Sequence, residues 1–145
     1  TMIYLKIPID FSPKFEVVSC FCEFDGRFIL LKRQAHKSEG NKWGMPAGKI
    51  NVGETLENAM KRELQEETGI DVNLQNLKHQ YKVFIRYPEY DFIYHIFSTK
   101  WDSQKEIVIS PKEHTDKIWV SPEDALQLDL VKDLDACIKL MYFEI

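Results

Sequence analysis

Cysteine is scarce in this sequence, net charge is small, and long apolar runs are missing. The three cysteines, Cys20, Cys22 and Cys137, are an odd number, which excludes a closed disulfide framework. Cys20 and Cys22 lie in an apolar run with no second pair to complete a zinc site, so buried, reduced thiols are expected. No apolar run approaches the roughly 18 residues that span a bilayer. The opening stretch TMIYLKIPIDFSPKF lacks the basic start and apolar centre of a signal peptide, so the expected location is cytoplasmic, with no membrane partner. Thr1 ahead of Met2 reads as a cloning remnant. No repeat, low-complexity tract or Pro/Gly-rich linker divides the chain, so residues 1–145 are expected to form one domain.

A basic excess is also absent. The chain carries 23 acidic and 19 basic residues for a net charge of -4, which argues against a nucleic-acid polymer as partner. The charge is uneven: residues 27–49 hold Arg27, Lys32, Arg33, Lys37, Lys42 and Lys49 against Glu39 alone, whereas the last stretch is acidic. With 44% hydrophobic residues, a chain of this length buries a core without metal staples, covering roughly 70% of its unfolded surface.

Phe15–Phe24 and Arg27–Arg33 read as strands joined by Asp25-Gly26, a strong hairpin signal. Residues 34–53 read as loop because five glycines and prolines interrupt them. From Leu56 to Thr68 helix formers dominate, with Gly69 placed as a C-cap. Strand-type runs follow at 71–86 and 92–101, joined through Tyr87-Pro88, and a short one at Ile118–Val120. Ser121-Pro122 predicts a helix start. The spacing of Leu130, Leu134, Cys137, Ile138 and Met141 predicts a terminal amphipathic helix. Strands interspersed with helices make an α/β domain with a mixed sheet.

The helix at 56–68 is unusual in where it puts its acids. At about 100° per residue from Leu56, Ala59, Met60 and Leu64 mark the apolar arc. Glu63 falls near 340° and Glu67 near 20°, both inside that arc, and Glu66 at its edge, by the same roughly 100° step. Like charges taken partly out of water cost several kcal/mol, roughly, unless compensated. A salt-bridge network with Arg62 would compensate them, but acids spaced i, i+3 and i+4 within a buried stripe favour a hard divalent cation.

Gly48, five residues, Glu54, seven residues, then Arg62-Glu63-Leu64-Gln65-Glu66-Glu67-Thr68-Gly69-Ile70 resembles the Nudix (MutT-like) hydrolase box at every defining position, over residues 48–70. Weaker likeness lies in Leu30–Arg33, in Trp43–Pro46 and in Glu113 ahead of Trp119. The resemblance implies an α/β/α sandwich and a Mg²⁺-dependent hydrolase, with Mn²⁺ a substitute, of nucleoside diphosphates linked to another group. Carried over by position, Glu63, Glu66, Glu67, the Ala47 carbonyl and Glu113 are the implied metal ligands. Catalytic work falls to Glu63, Glu66 and Glu113, with Arg62 orienting carboxylates. The resemblance leaves open which glutamate is the base. Gly48, Glu54 and Gly69 are implied structural supports.

Arg33 at its strand end and Lys49 are candidates for contact with a substrate phosphate or ribose, since the basic stretch leads into the box. Phe24, Trp43, Tyr81, Phe84 and Tyr94 are candidate walls for a nucleobase. His114 reads either as a phosphate or carboxylate partner of the site or as a surface loop residue, and His36, His79 and His95 show no metal spacing. The expected partner is a small-molecule nucleotide, bound by a monomer or homodimer. Hydrolysis of a nucleoside triphosphate to monophosphate and pyrophosphate, with damaged nucleotides among the substrates, is the leading expectation. Hydrolysis of diadenosine polyphosphates or ADP-ribose-type nucleotide sugars is the alternative; Tyr87-Pro88 lies near the position that discriminates such substrates but has an ordinary turn role. A non-catalytic nucleotide-binding domain is disfavoured because every box glutamate is kept.

Overall fold

The computed structural model describes residues 2–143. Its strands are β1 (Met2–Tyr4), β2 (Pro13–Phe24), β3 (Arg27–Arg33), β4 (Trp43–Gly44), β5 (Ala47–Lys49), β6 (Lys78–Arg86), β7 (Asp91–Lys100) and β8 (His114–Val120). The helices are α1 (Leu56–Thr68), α2 (Pro122–Ala125) and α3 (Leu134–Tyr142).

The sheet is mixed. β2 runs parallel to β7 from Pro13 to Glu23 and antiparallel to β5, while β3 pairs antiparallel with β8 along Phe28–Arg33. β1, β6 and β7 continue one side and β4 lies beside β3. Asp25 and Gly26 have φ of 52° and 74°, as a two-residue turn with both centres left-handed requires. The hairpin it makes is short: only Glu23↔Phe28 and Phe24↔Arg27 pair before β2 and β3 part to other neighbours.

Strand alternation divides the core into two layers. Val18, Cys20, Cys22, Ile29 and Leu31 face Ala59, Met60 and Leu64 of α1. Phe21, Phe28 and Leu30 face Leu134, Cys137 and Ile138 of α3. Because both faces are covered, β2 and β3 read as continuous apolar runs rather than as alternating ones. All three cysteines are free and buried. The fold is thus the α/β/α sandwich expected. No helix among the described residues is long and apolar enough to cross a membrane.

Helix α1 has the bounds the sequence predicts. The Thr55 hydroxyl accepts from the Asn58 N–H at 3.1 Å, and Gly69, at φ 75°, donates its N–H to Gln65.

Four expectations are corrected. The run at 71–86 is strand only from Lys78; Lys61 Nζ donates to Asp71 at 2.5 Å and to the Val72 carbonyl at 2.6 Å, tying this segment to α1, and Leu74–Asn76 form one 3-10 turn. The stretch 34–53 contains β4 and β5, which form because β3 and β2 offer them partners. The strand at Ile118–Val120 begins earlier, at His114. Leu130 lies outside the terminal helix, bridged instead to Trp43, and the helix starts only after Asp133, whose φ of 68° breaks helical continuity.

Because the Thr55 cap stands on one hydroxyl, Thr55→Ala should lower stability by about 1 kcal/mol, read as an earlier urea midpoint with an unchanged slope.

Candidate active site

β5 lies against α1, and this contact gathers the box residues. The Ala47 N–H donates to Glu67 Oε1 at 2.9 Å. A Cβ on Gly48 would sit 2.1–2.3 Å from the Glu63 carboxyl group, so a side chain there would push that carboxyl out of its place. Glu63 and Glu67 are 8% and 6% exposed, while the Glu66 side chain is 54% exposed. The acids inside the helix's apolar arc are therefore buried acids, and the one at its edge reaches water.

Arg62 ties the carboxylates together. Its Nε and Nη2 donate to Glu54 at 2.7 and 2.9 Å, its Nη1 to Glu63 Oε1 at 2.7 Å, and Nη2 also to the Lys49 carbonyl at 3.1 Å. Glu66 meets the same guanidinium only at 3.4 Å. The hydrogen bonds from Arg62 and from the Asn51 N–H hold Glu54 at about 2. Burial pushes Glu63 the other way, upward, against the pull of Arg62. Burial also lifts Glu67 well above its ordinary value, outweighing the Ala47 N–H. The metal-free cluster thus holds a strongly acidic carboxyl on the loop before α1, Glu54, beside two weakly acidic ones on the helix, Glu63 and Glu67.

The start of β8 brings in the other half. The loop before it is anchored by the Gln34 N–H on the Glu113 carbonyl at 2.9 Å and the Gln34 side chain on Pro111 at 2.7 Å. Ligand-capable atoms of Glu67, Glu113 and His114 all lie within 4.8 Å of one another. His114 is not a surface loop residue: it is 5% exposed, and its Nδ1 has no hydrogen-bond partner. Burial, then Arg33 and Lys37, lower it to about 4, so it is a neutral imidazole at neutral pH.

Beside this cluster opens a cavity of about 270 Å³, lined by Phe15, Tyr87, Phe92, Tyr94 and Asp133, with Arg33 and His114 at the end toward the carboxylates. Arg33 is steadied by its Nε–H on the Ser38 carbonyl at 2.8 Å. Lys49 is not in the lining; its ammonium sits 4.2 Å from the centre of the Phe15 ring. Of the five aromatic walls expected, only Tyr94 lines the cavity. Phe84 packs edge-on against Phe11, Trp43 and Tyr81 pack against the α3 core, and Phe24 borders a different hollow beside the Asp25-Gly26 turn. Tyr87 does sit in a turn, with its N–H on Tyr90, yet its ring also lines the cavity.

Asp133 gave no signal in the sequence. It occupies the N-cap position of α3 without capping it, at φ 68°, and its Oδ2 is buried without a partner. An aspartate in that position would normally accept from the first helical N–H groups. Here burial raises its pKa while Tyr87 and Lys132 oppose the rise. His79 and His95, also unassigned, form a separate row with Glu16: His79 Nε2 to His95 Nδ1 at 2.9 Å and His95 Nε2 to Glu16 at 2.6 Å.

A divalent cation fits this arrangement. Buried carboxylates at Glu63 and Glu67 have one guanidinium between them, the buried His114 ring lies beside Glu67 and Glu113, and oxygen donors suit hard ions.

The raised Glu67 makes a stability prediction for metal-free protein. An acid lifted by folding stabilises fully below its ordinary value of 4.5, and that contribution is lost as pH rises through the lifted value. Glu67→Gln stays neutral and can still accept from Ala47, so in chelator it should melt higher than wild type at pH 8, the gain shrinking to nothing below pH 4.5. A lower melting temperature at pH 8 would contradict the assignment.

A NUDIX domain family model matches residues 13–141. The chain is 32% identical over 118 residues to the CTP pyrophosphohydrolase of Escherichia coli (strain K12), covering 79% of this chain and 82% of that protein. It is 29% identical over 124 residues to the nucleoside triphosphatase NudI of Escherichia fergusonii, covering 79% and 86%. The MutT protein of Methanosarcina mazei Go1 superposes with a TM-score of 0.74 at 25% identity over 92% of this chain and 95% of that one. The chain therefore belongs to the Nudix (MutT-like) hydrolases, pyrophosphohydrolases that act on nucleotide anhydrides.

Proposed function

We propose that the protein is a divalent-cation-dependent nucleoside triphosphate pyrophosphohydrolase, cleaving NTP and water to NMP and pyrophosphate. One observation carries the reading: the aromatic cavity has Arg33, Ala47 and His114 in its lining, and Ala47 and His114 are also neighbours of the Glu67 carboxylate, so base and polyphosphate have adjoining sites of opposite character. The CTP pyrophosphohydrolase and NudI relatives support a triphosphate substrate.

In this reading Glu63, Glu66, Glu67, Glu113 and the Ala47 carbonyl hold Mg²⁺ or Mn²⁺. Bound metal neutralises phosphate oxygens and lowers the pKa of a bound water. Arg62 keeps Glu63 in place through its fork on Glu54, and Gly48 leaves room for the Glu63 carboxyl. Glu63, made more basic by burial, and Glu113 are the candidate bases, one of which would take the proton as the water oxygen bonds to phosphorus and the bridging P–O bond breaks. Arg33 is the phosphate contact. Lys49, its ammonium over Phe15, acts only from the cavity's outer edge. Tyr87, Phe92 and Tyr94 supply faces for the base, and Asp133 Oδ2 accepts an N–H from its edge.

The test is a Mg²⁺-dependent screen of nucleoside triphosphates, ADP-ribose and dinucleotides in ¹⁸O-labelled water, with products resolved. Monophosphate and pyrophosphate are expected, and Glu67→Gln should cut turnover by orders of magnitude. Orthophosphate release, or faster turnover of ADP-ribose than of any triphosphate, would refute the reading.

The unpartnered acceptor at Asp133 predicts preference for bases with an exocyclic amine. Asp133→Asn replaces one acceptor oxygen with an amide donor, removes the charge and tolerates the left-handed backbone. The ratio of kcat/KM for CTP over UTP, and for ATP over ITP, should fall about 10–100-fold. Unchanged ratios would remove Asp133 from base recognition.

A further inference from the structure

We propose that His114 is a nitrogen ligand of the metal centre, and that the position it forms with Glu67 and Glu113 takes a first-row transition ion in preference to Mg²⁺. The inference rests on the metal-dependent reading above and goes beyond an all-oxygen ligand set.

The backbone of β8 is built to deliver this side chain. Its ladder with β3 runs Phe28↔Val120, Ile29↔Trp119, Leu30↔Ile118, Leu31↔Lys117 and Lys32↔Asp116, so Arg33 should oppose Thr115. It opposes His114 instead, because the register shifts by one residue at that point. Paired residues share a face, and a one-residue slip moves a side chain to the other face. Without the shift, His114 would follow Ile118 and Val120 onto the face that packs against α3. With it, His114 joins the face of Leu31 and Trp119, on which α1 and its glutamates lie. Bulges commonly re-aim a side chain in this way beside active sites.

The imidazole so delivered has no protein partner. Nδ1 is buried and unsatisfied, and no hydrogen bond reaches the ring from any described residue. Leaving a buried polar atom unpaired costs stability unless a ligand satisfies it. A ring nitrogen of His114 and ligand atoms of Glu67 and Glu113 lie within 4.8 Å of one another, a spacing that one cation can bridge. The local charge tolerates a cation: Glu63, Glu66, Glu67 and Glu113 outnumber the guanidiniums of Arg62 and Arg33.

The donor set decides the metal. Mg²⁺ holds oxygen ligands and water and dehydrates reluctantly. Imidazole nitrogen suits first-row transition ions, so one nitrogen with two carboxylates shifts preference toward them. The Glu63 and Glu66 side of the centre, all oxygen, keeps the Mg²⁺ preference.

Mn²⁺ is the probe, read by pulsed EPR on metal-free protein given one equivalent. A ¹⁴N coupling to Mn²⁺ is expected, replaced by a ¹⁵N coupling when the histidines are ¹⁵N-labelled, and persisting under a large excess of Mg²⁺. His114→Gln should abolish the coupling and weaken Mn²⁺ binding about 10-fold or more. His36→Gln and His79→Gln should leave it intact; His95 has both nitrogens engaged. These two variants and the labelled wild type carry the assignment should His114→Gln not fold. Bound Mn²⁺ without nitrogen coupling, coupling that survives in folded His114→Gln, or complete displacement by Mg²⁺ overturns the inference while the hydrolytic reading stands. No Mn²⁺ binding at all overturns both.

Discussion

Carboxylates forced together out of water are the constraint on which the rest of this site depends. Glu63 and Glu67 are buried in the face of α1 that meets the sheet, where each ionised group loses hydration and repels the others. Arg62 offsets part of this by gripping Glu54 and Glu63 at once, and the Ala47 N–H offsets another part at Glu67. The remainder is left as raised pKa values at Glu63 and Glu67. A bound cation would relieve that remainder, so metal affinity and the instability of the metal-free site have one origin.

The same constraint explains neighbouring features that look unrelated. Gly48 is needed because the Glu63 carboxyl fills the space of its missing side chain. Glu54 lies on the loop before α1 because Arg62 must be held from outside the helix to point its remaining N–H inward. Arg33, in the basic stretch before the box, lines the cavity, and its charge is felt by both Glu67 and His114. An acidic total charge therefore coexists with a site suited to an anion, because bound metal inverts the local sign.

The cavity carries a second division of labour. Its aromatic wall comes from β2, β7 and the turn between β6 and β7, whereas polar groups enter from Arg33 and His114 on one side and from Lys132 and Asp133, ahead of α3, on another. Asp133 holds a left-handed backbone and gives up its capping role to stand there. Strain of that kind persists only where surrounding structure fixes it, and the Lys132 N–H on Glu39 at 2.7 Å joins α3's approach to the loop on the opposite rim.

Local chemistry made α1, the Asp25-Gly26 turn and the box legible from sequence alone, because caps, turn residues and helical spacing act within a few positions. The burial of Glu63 and Glu67 was legible for the same reason: a helix fixes which side chains share a face. Only the tertiary structure decided the rest. β4 and β5 exist because β3 and β2 pair with them, and the run at 71–77 is held by Lys61 from another element. Tyr87 and Asp133 meet at one cavity across 46 residues of chain. His114 reaches the glutamates through a register shift that leaves no mark in its own neighbourhood. Pairing, register and cavity walls depend on partners distant in sequence, and periodicity within one segment carries no information about them.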